Sequence, residues 1–182
     1  MPASTRTTRE AWIDAGLAAL ADGGPDAVRV DVLAQALGVT RGGFYHQFDS
    51  RPVFLDALLD TWEARSTDEV RQRVETEGGD PRRKVTRAGT LTFSDELLPI
   101  DLAVRDWARR DAAVAARLVR VDNHRMAYLR DLISEFCADR DEVEARSLLA
   151  FALAIGHHFV AAEHPGSTRA DVLKRATRLL LE

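Results

Sequence analysis

Residues 30–48 read VDVLAQALGVTRGGFYHQF, and this stretch predicts two short helices with a tight turn between them. The first helix is expected to end before Gly38, because glycine accepts the positive φ that is common just after a helix C-terminus. Thr40 can cap the second helix, which is expected to end near Phe48. Two short helices joined by a few residues that include glycine form a helix-turn-helix unit.

A longer helix is expected before this unit. It is predicted to begin at Thr7, with Glu10 completing a capping box, and to end at Gly23 and Gly24. Its apolar residues recur with the spacing of one helical face. These residues are Trp12, Ala15, Gly16, Ala19 and Leu20. The apolar residues of the two short helices are expected to point toward this face, and they are Leu33, Leu37, Phe44 and Phe48.

The residues left outside on the second short helix are suited to DNA. Arg41 can donate two hydrogen bonds to a guanine or bind a phosphate. Gly42 and Gly43 remove side chains where the helix backbone would meet a groove wall. Other polar groups here, and one at the start of the next helix, can reach phosphates. The predicted DNA-binding residues are Thr40, Arg41, Gly42, Gly43, Tyr45, His46 and Arg51.

Overall charge gives no support for a nucleic-acid partner. The chain has 25 Lys and Arg against 29 Asp and Glu, a formal net charge of -4. Residues 1–51 hold five basic and six acidic side chains, although the arginines occupy the expected contact positions. Spacing and charge therefore leave open that this stretch is only a helical corner in an all-α core.

Residues 9–59 resemble the N-terminal domain of the TetR family of bacterial transcriptional repressors. The resemblance is carried by WIDAG at 12–16, Gly24, VDVLA at 30–34, GVTRGGFYHQF at 38–48 and SRP at 50–52. Two departures are visible: Arg51 stands where the family usually has lysine, and Gly43 replaces the usual small polar residue. The resemblance implies a three-helix DNA-binding domain, joined through a fourth helix to a helical effector domain in a homodimer.

The whole chain is expected to be all-α, with about nine helices. Helical periodicity recurs between glycine and proline clusters, and no convincing strand pair is present. A fourth helix is expected from Ser50, with Pro52 in its first turn, running toward Val74. We expect a DNA-binding domain at 1–50, extended by a connecting helix to about residue 66, and a ligand-binding and dimerisation domain at 67–182.

Two C-terminal helices, predicted at 141–163 and 168–181, are expected to form the homodimer. Every residue from Leu148 to Ile155 is apolar, so the first of these helices should be buried on more than one side. The second has a broad apolar stripe. Pairing both with their symmetry mates gives a four-helix interface around a two-fold axis. The alternative is that the stripe only covers the core of one subunit.

An unknown small-molecule effector is expected to bind among aromatic and polar residues of the C-terminal domain. For each aromatic residue, the alternative is ordinary core packing. The candidate ligand-binding residues are Phe93, Trp107, Asn123, Tyr128, Phe136, Phe151 and His157.

Other classes of protein find little support in the sequence. A single cysteine, Cys137, excludes an internal disulfide and a multi-cysteine zinc site. No P-loop, glycine-rich dinucleotide turn or Glu-x-x-His pair is present, so we expect no enzyme activity, no metal and no cofactor. No membrane-spanning run or secretory signal is evident, and a cytoplasmic location is expected.

The sequence therefore predicts a DNA-binding transcriptional regulator, namely a repressor that binds a palindromic operator as a homodimer and is released by a small-molecule effector. The alternatives are a helical ligand-binding or adaptor protein without DNA binding, and a helical-bundle enzyme.

Overall fold

The computed structural model describes residues 8–182, and every regular element in that range is a helix, as predicted. Ten helices occur there. They are α1 (Arg9–Ala27), α2 (Val30–Ala36), α3 (Arg41–Tyr45), α4 (Arg51–Ser66), α5 (Asp68–Glu77), α6 (Pro81–Thr92), α7 (Leu98–Ala108), α8 (Ala112–Ser134), α9 (Arg140–Gly156) and α10 (Arg169–Leu181). The helix predicted from Ser50 toward Val74 is divided into α4 and α5. The division falls at Thr67, whose φ of -126° and ψ of -82° are not helical.

The chain forms two compact units. The first comprises the described residues through Arg65 together with Asp95–Val119, and the second comprises Ser66–Ser94 and Arg120–Glu182. The connecting helix α4 ends at Ser66. The sequence predicts that Asp95–Val119 belongs to the C-terminal domain. In the structure this segment is part of the first unit, because α7 packs along α1.

Helix α1 begins and ends close to the predicted points. The predicted start at Thr7 lies outside the described residues, and Thr8 is the N-cap, with its Oγ1 accepting a hydrogen bond from the Ala11 N–H at 3.2 Å. Gly23 and Gly24 leave the helical conformation, Gly24 with a φ of 70°. One further turn follows this kink, so α1 formally extends to Ala27.

An aromatic cluster forms the core of the first unit. Phe44 is fully buried, and its ring centroid lies 5.4 Å from that of Trp12 and 5.2 Å from that of Phe54, both in edge-to-face geometry. Phe48 adds a fourth ring to the cluster, with its centroid 5.3 Å from that of Phe44. Each buried ring removes a large apolar area from water, and edge-to-face contacts add to that stabilisation. This cluster fixes α3 against α1 and α4.

The second unit has its own hydrophobic core. Its buried members include Val74, Val85, Leu132, Ile133 and Leu181. Helix α9 ends at Gly156, well before the predicted residue 163. The reason is visible in the backbone. The N–H groups of His158 and Phe159 donate to carbonyls only three residues back, at 3.2 and 3.0 Å, and this tightening into turns ends the helix.

Helix α10 begins where predicted. Thr168 is its N-cap, and its Oγ1 accepts a hydrogen bond from the Asp171 N–H at 3.1 Å. None of the helices described here is both long enough and apolar enough to cross a membrane.

Candidate nucleic-acid interface

The helix-turn-helix unit has the predicted order and a defined turn. Gly38 has a φ of 68°, the left-handed conformation that favours glycine. The N–H of Val39 donates to the Ala34 carbonyl at 2.9 Å, which closes the turn behind α2. Ala34 is buried, as the packing of the two helices requires, whereas Leu37 is only half-buried rather than in the core.

Helix α3 is shorter than predicted, because it ends at Tyr45 and not near Phe48. Gln47 and Phe48 both donate their N–H to the Phe44 carbonyl, at 2.8 and 2.9 Å, so the chain tightens into a turn. Thr40 occupies the N-cap position, but its side chain makes no capping hydrogen bond. Thr40 is therefore the N-cap residue, as predicted, but it does not cap the helix through its side chain. Helix α3 is held by its one buried aromatic residue, Phe44.

The predicted DNA-facing residues of α3 share one exposed surface. Thr40, Arg41, Gly42 and His46 are exposed, and 53% of the Tyr45 side chain is accessible to solvent. Gly43 is half-buried. Within residues 8–182, Arg41 takes part in no ion pair, so its guanidinium is available to an external anion or base.

Arg51 has an internal role that sequence reasoning missed. Its Nε donates a hydrogen bond to the Val28 carbonyl at 2.8 Å, and its Nη2 donates to the Pro25 carbonyl. These bonds tie the first turn of α4 to the last turn of α1 and to the segment between α1 and α2. The signal in the sequence was arginine at a position where the family usually has lysine, because a planar guanidinium can serve two carbonyls at once.

Ion pairs balance other charges of the first unit. Arg29 pairs with Asp31 at 2.9 Å, and Arg65 pairs with Asp14 at 2.8 Å. Arg9 lies over the ring of Phe48, 4.9 Å from its centroid. The guanidinium of Arg41 is thus distinguished from these arginines by having no partner among residues 8–182.

The candidate ligand-binding residues are divided between the two units. Trp107 lies on α7 in the first unit and is half-buried, and the other six belong to the second. Phe93 and Phe151 meet edge to face with ring centroids 5.8 Å apart. Asn123 is exposed on α8. Phe93 and Phe151 are therefore brought together by packing, but their assignment to a ligand stays a prediction.

The remaining aromatic candidates belong to the core of the second unit. Tyr128 is buried, and its hydroxyl donates to Glu75 Oε1 at 2.7 Å. Burial and this hydrogen bond raise the pKa of Tyr128 well above its usual range. Phe136 is half-buried against the same core, with the guanidinium of Arg82 4.1 Å from its ring centroid. Both aromatic side chains therefore have structural partners in the folded chain.

His157 caps the C-terminal end of α9 and faces its neighbour. The ring centroids of His157 and His158 are 3.8 Å apart, and the His157 carbonyl accepts a hydrogen bond from Arg169 at 2.8 Å. Burial and the nearby charges lower the pKa of His157. No three His, Cys, Asp or Glu side chains of the described chain are placed to hold a metal ion together.

One open cleft of about 500 Å³ lies within the first unit, between the kinked end of α1 and α7. Gly24 and Pro25 line one side, and Leu98 and Leu102 line the other. The cleft includes none of the candidate ligand-binding residues. Sequence reasoning did not foresee it, because it depends on the packing of α7 on α1.

A short helix exposed on a helix-turn-helix unit and anchored through a buried aromatic cluster defines a helix-turn-helix DNA-binding protein. Residues 13–58 match the family model described as bacterial regulatory proteins, tetR family. The N-terminal part of this chain is therefore of the type found in the TetR family of bacterial transcriptional regulators. Comparison with curated protein sequences gave no match.

Several solved structures of transcriptional regulators have the same fold. A transcriptional regulator from Rhodococcus sp. Rha1 is 20% identical, with a TM-score of 0.70 over 96% of this chain and 94% of that one. A TetR-family regulator from Rhodococcus sp. is 25% identical, with a TM-score of 0.63 over 95% and 94%. FadR from Bacillus subtilis, solved with stearoyl-CoA, is 15% identical, with a TM-score of 0.69 over 96% and 98%.

Proposed function

We propose that this chain is a repressor that binds a palindromic operator as a homodimer and is released by a small-molecule effector. The observation that carries the proposal is the exposed face of α3, where Arg41 has no partner in the part of the chain that the structure describes, while Phe44 is fully buried. Such a helix offers its N-terminal residues to the major groove. In a symmetric dimer, the two copies of α3 would read half-sites roughly 34–36 Å apart.

Exposed apolar side chains of the second unit support the homodimer. Leu148 and Leu149 on α9 are 60% and 56% exposed, and Leu179 on α10 is 74% exposed. Phe159 and Val160, just after α9, are exposed as well. Several large apolar residues exposed on two consecutive helices mark an interaction surface, and a two-fold dimer lets the same surface cover itself.

A small-molecule effector completes the proposal. Of the structures compared, FadR was solved with stearoyl-CoA, so an acyl-CoA is the first class of ligand to test. An allosteric coupling of about 1–3 kcal/mol would change operator affinity roughly 5- to 150-fold, enough to switch a promoter. The measurement is operator affinity with and without stearoyl-CoA, and loss of binding on addition is expected.

The DNA-binding proposal is tested with a duplex that the wild-type chain enriches from a random library, alongside a scrambled duplex of the same composition. Arg41→Ala is expected to weaken binding to the enriched duplex by about 1–3 kcal/mol and to reduce its preference over the scrambled one. Arg29→Ala, at an exposed arginine paired with Asp31, is the matched control for loss of one positive charge. Equal weakening on both duplexes would make Arg41 a phosphate contact.

The alternative is a helical ligand-binding or adaptor protein without DNA binding. The near balance of charge in residues 1–51 keeps this alternative open. It predicts that the wild-type chain enriches no duplex and that any residual binding shows no sequence preference. A DNA-binding regulator instead shows affinity for the enriched duplex that falls steeply with salt.

A further inference from the structure

The glycines of the first unit differ in what the fold requires of them. At Gly16, an added Cβ would lie 2.5 Å from Phe54 Cζ, closer than real Cβ contacts, so packing excludes a side chain there. At Gly38, the positive φ disfavours one. Gly42 and Gly43 have neither constraint. Their φ angles are not in the left-handed region, and an added Cβ would meet only Thr40 Oγ1 at 3.6 Å and Trp12 Cζ2 at 4.0 Å, respectively.

These two glycines also work against the helix that contains them. Among the residues a helix can contain, only proline is a poorer helix former than glycine. Helix α3 has five residues, two of them glycine, and its N-cap residue makes no side-chain capping bond. Alanine at either position would fit the folded chain and favour the helix. The reason for glycine therefore lies outside the subunit.

The two positions face different surroundings. The nearest atom to a Cβ on Gly42 belongs to Thr40, on the exposed surface of α3, and Gly42 itself is exposed. The nearest atom to a Cβ on Gly43 belongs to Trp12, which is fully buried, and Gly43 is half-buried. Consecutive helical residues point roughly 100° apart, so only one of the two can face a groove directly.

We propose that Gly42 is the point of closest approach between α3 and duplex DNA, where a Cβ would occupy space that the duplex takes. The inference rests on the proposed DNA-binding function and adds a residue-level requirement to it. Gly43 contributes less, because its missing side chain would point toward Trp12 and not toward the groove. Substitutions at the two glycines therefore distinguish a clash with the DNA groove, expected at Gly42, from the stiffening of α3, which is expected at both positions.

The experiment compares Gly42→Ala with Gly43→Ala in the full chain. Both variants gain the same methyl group and the same helix propensity, so both are expected to melt at or above the wild-type temperature. Binding is measured on the duplex that the wild-type chain enriches from a random library. Gly42→Ala is expected to bind it at least about tenfold more weakly than Gly43→Ala does, the loss that one lost base or backbone contact produces.

Three results would overturn the inference while leaving the proposed function intact. Equal losses in the two variants would assign the effect to helix flexibility and not to close approach. Undiminished binding by Gly42→Ala would show that the duplex leaves room for a side chain. A melting temperature of Gly42→Ala below that of the wild type would show that the fold itself requires this glycine. If the wild-type chain enriches no duplex, the proposed function fails first.

Discussion

The guanidinium of Arg51 donates from Nε to the backbone carbonyl of Val28 at 2.8 Å, across 23 positions of sequence. A second donor of the same side chain reaches the carbonyl of Pro25. The first turn of α4 is thereby attached to the segment that leads into the helix-turn-helix. Since α2 starts at Val30, only two residues after Val28, these bonds help to set the position of the whole unit.

Arg51→Lys is expected to destabilise the chain, because a lysine ammonium cannot serve both carbonyls with the geometry of a guanidinium. Loss of hydrogen bonds from a charged donor predicts a decrease of about 1–3 kcal/mol in the free energy of unfolding, measured by urea denaturation. Arg29→Lys is the control, since Arg29 is exposed and its one ion pair among residues 8–182 is with nearby Asp31. Unchanged stability of Arg51→Lys would show that these two hydrogen bonds contribute little to folding.

Leu149→Glu is expected to convert a dimer to a monomer, because a carboxylate in a desolvated apolar interface loses its hydration. Sedimentation velocity at micromolar concentration measures the change. Val119→Glu is the matched control: Val119 is 62% exposed on α8, outside the proposed interface, and the same substitution there should leave the dimer intact. A monomeric wild-type chain would contradict the proposed homodimer.

Stability is expected to fall as the pH decreases from about 4.5 to about 2, partly through Glu77. Hydrogen bonds from Arg87, and then from Arg73, hold the pKa of Glu77 at about 2 in the folded chain. The unfolded chain therefore binds more protons in this pH window, so acid favours unfolding. Salt should weaken the effect, because Glu77 is exposed to solvent.

The test compares urea unfolding of wild type and Glu77→Gln across this pH window. The variant should show a shallower dependence on pH. Glu69→Gln, at an exposed carboxylate on the same helix with no arginine partner among residues 8–182, is the control. If the free energy of unfolding depends on pH equally in the wild type and in Glu77→Gln, the ion pair with Arg87 contributes nothing to stability.

Gly16→Ala is expected to destabilise the first unit by about 1–3 kcal/mol, the usual cost of overpacking a core. The added methyl carbon would lie 2.5 Å from Phe54 Cζ and 2.8 Å from Leu58 Cδ2, and both side chains are fully buried. Thermal unfolding measures the loss. Gly156→Ala makes the same chemical change where no atom lies within 4 Å, and it should not lower the melting temperature.

Local sequence signals were enough to predict the helix-turn-helix. The positive φ at Gly38 and the turn behind α2 depend on residues a few positions apart, and the spacing of apolar residues along the chain marks Phe44 and Phe48 as buried. Periodicity and turn chemistry act over that range, so they can be read without a structure. The same reasoning placed Arg41 and Tyr45 on the exposed side of α3, where the structure has them.

The start of α3 and the end of α9 were harder to predict from the sequence. Thr40 has the residue type and position of a cap, yet its hydroxyl makes no capping bond. The helix predicted over 141–163 ends at Gly156, directly after the apolar run that begins at Leu148. Intrinsic preferences for capping and for helix formation are weak, so the packing of neighbouring residues decides where each helix begins or ends.

The all-α class, the helix-turn-helix and the exposed face of α3 can be predicted from the amino-acid sequence, since they follow from patterns among near neighbours in the chain. Three other features become visible only in the folded chain: Arg51 binds the Val28 carbonyl, Gly16 fits against Phe54, and Asp95–Val119 joins the N-terminal helices. Those contacts join residues tens of positions apart. Side-chain reach and packing set them, and no local pattern in the sequence encodes either one.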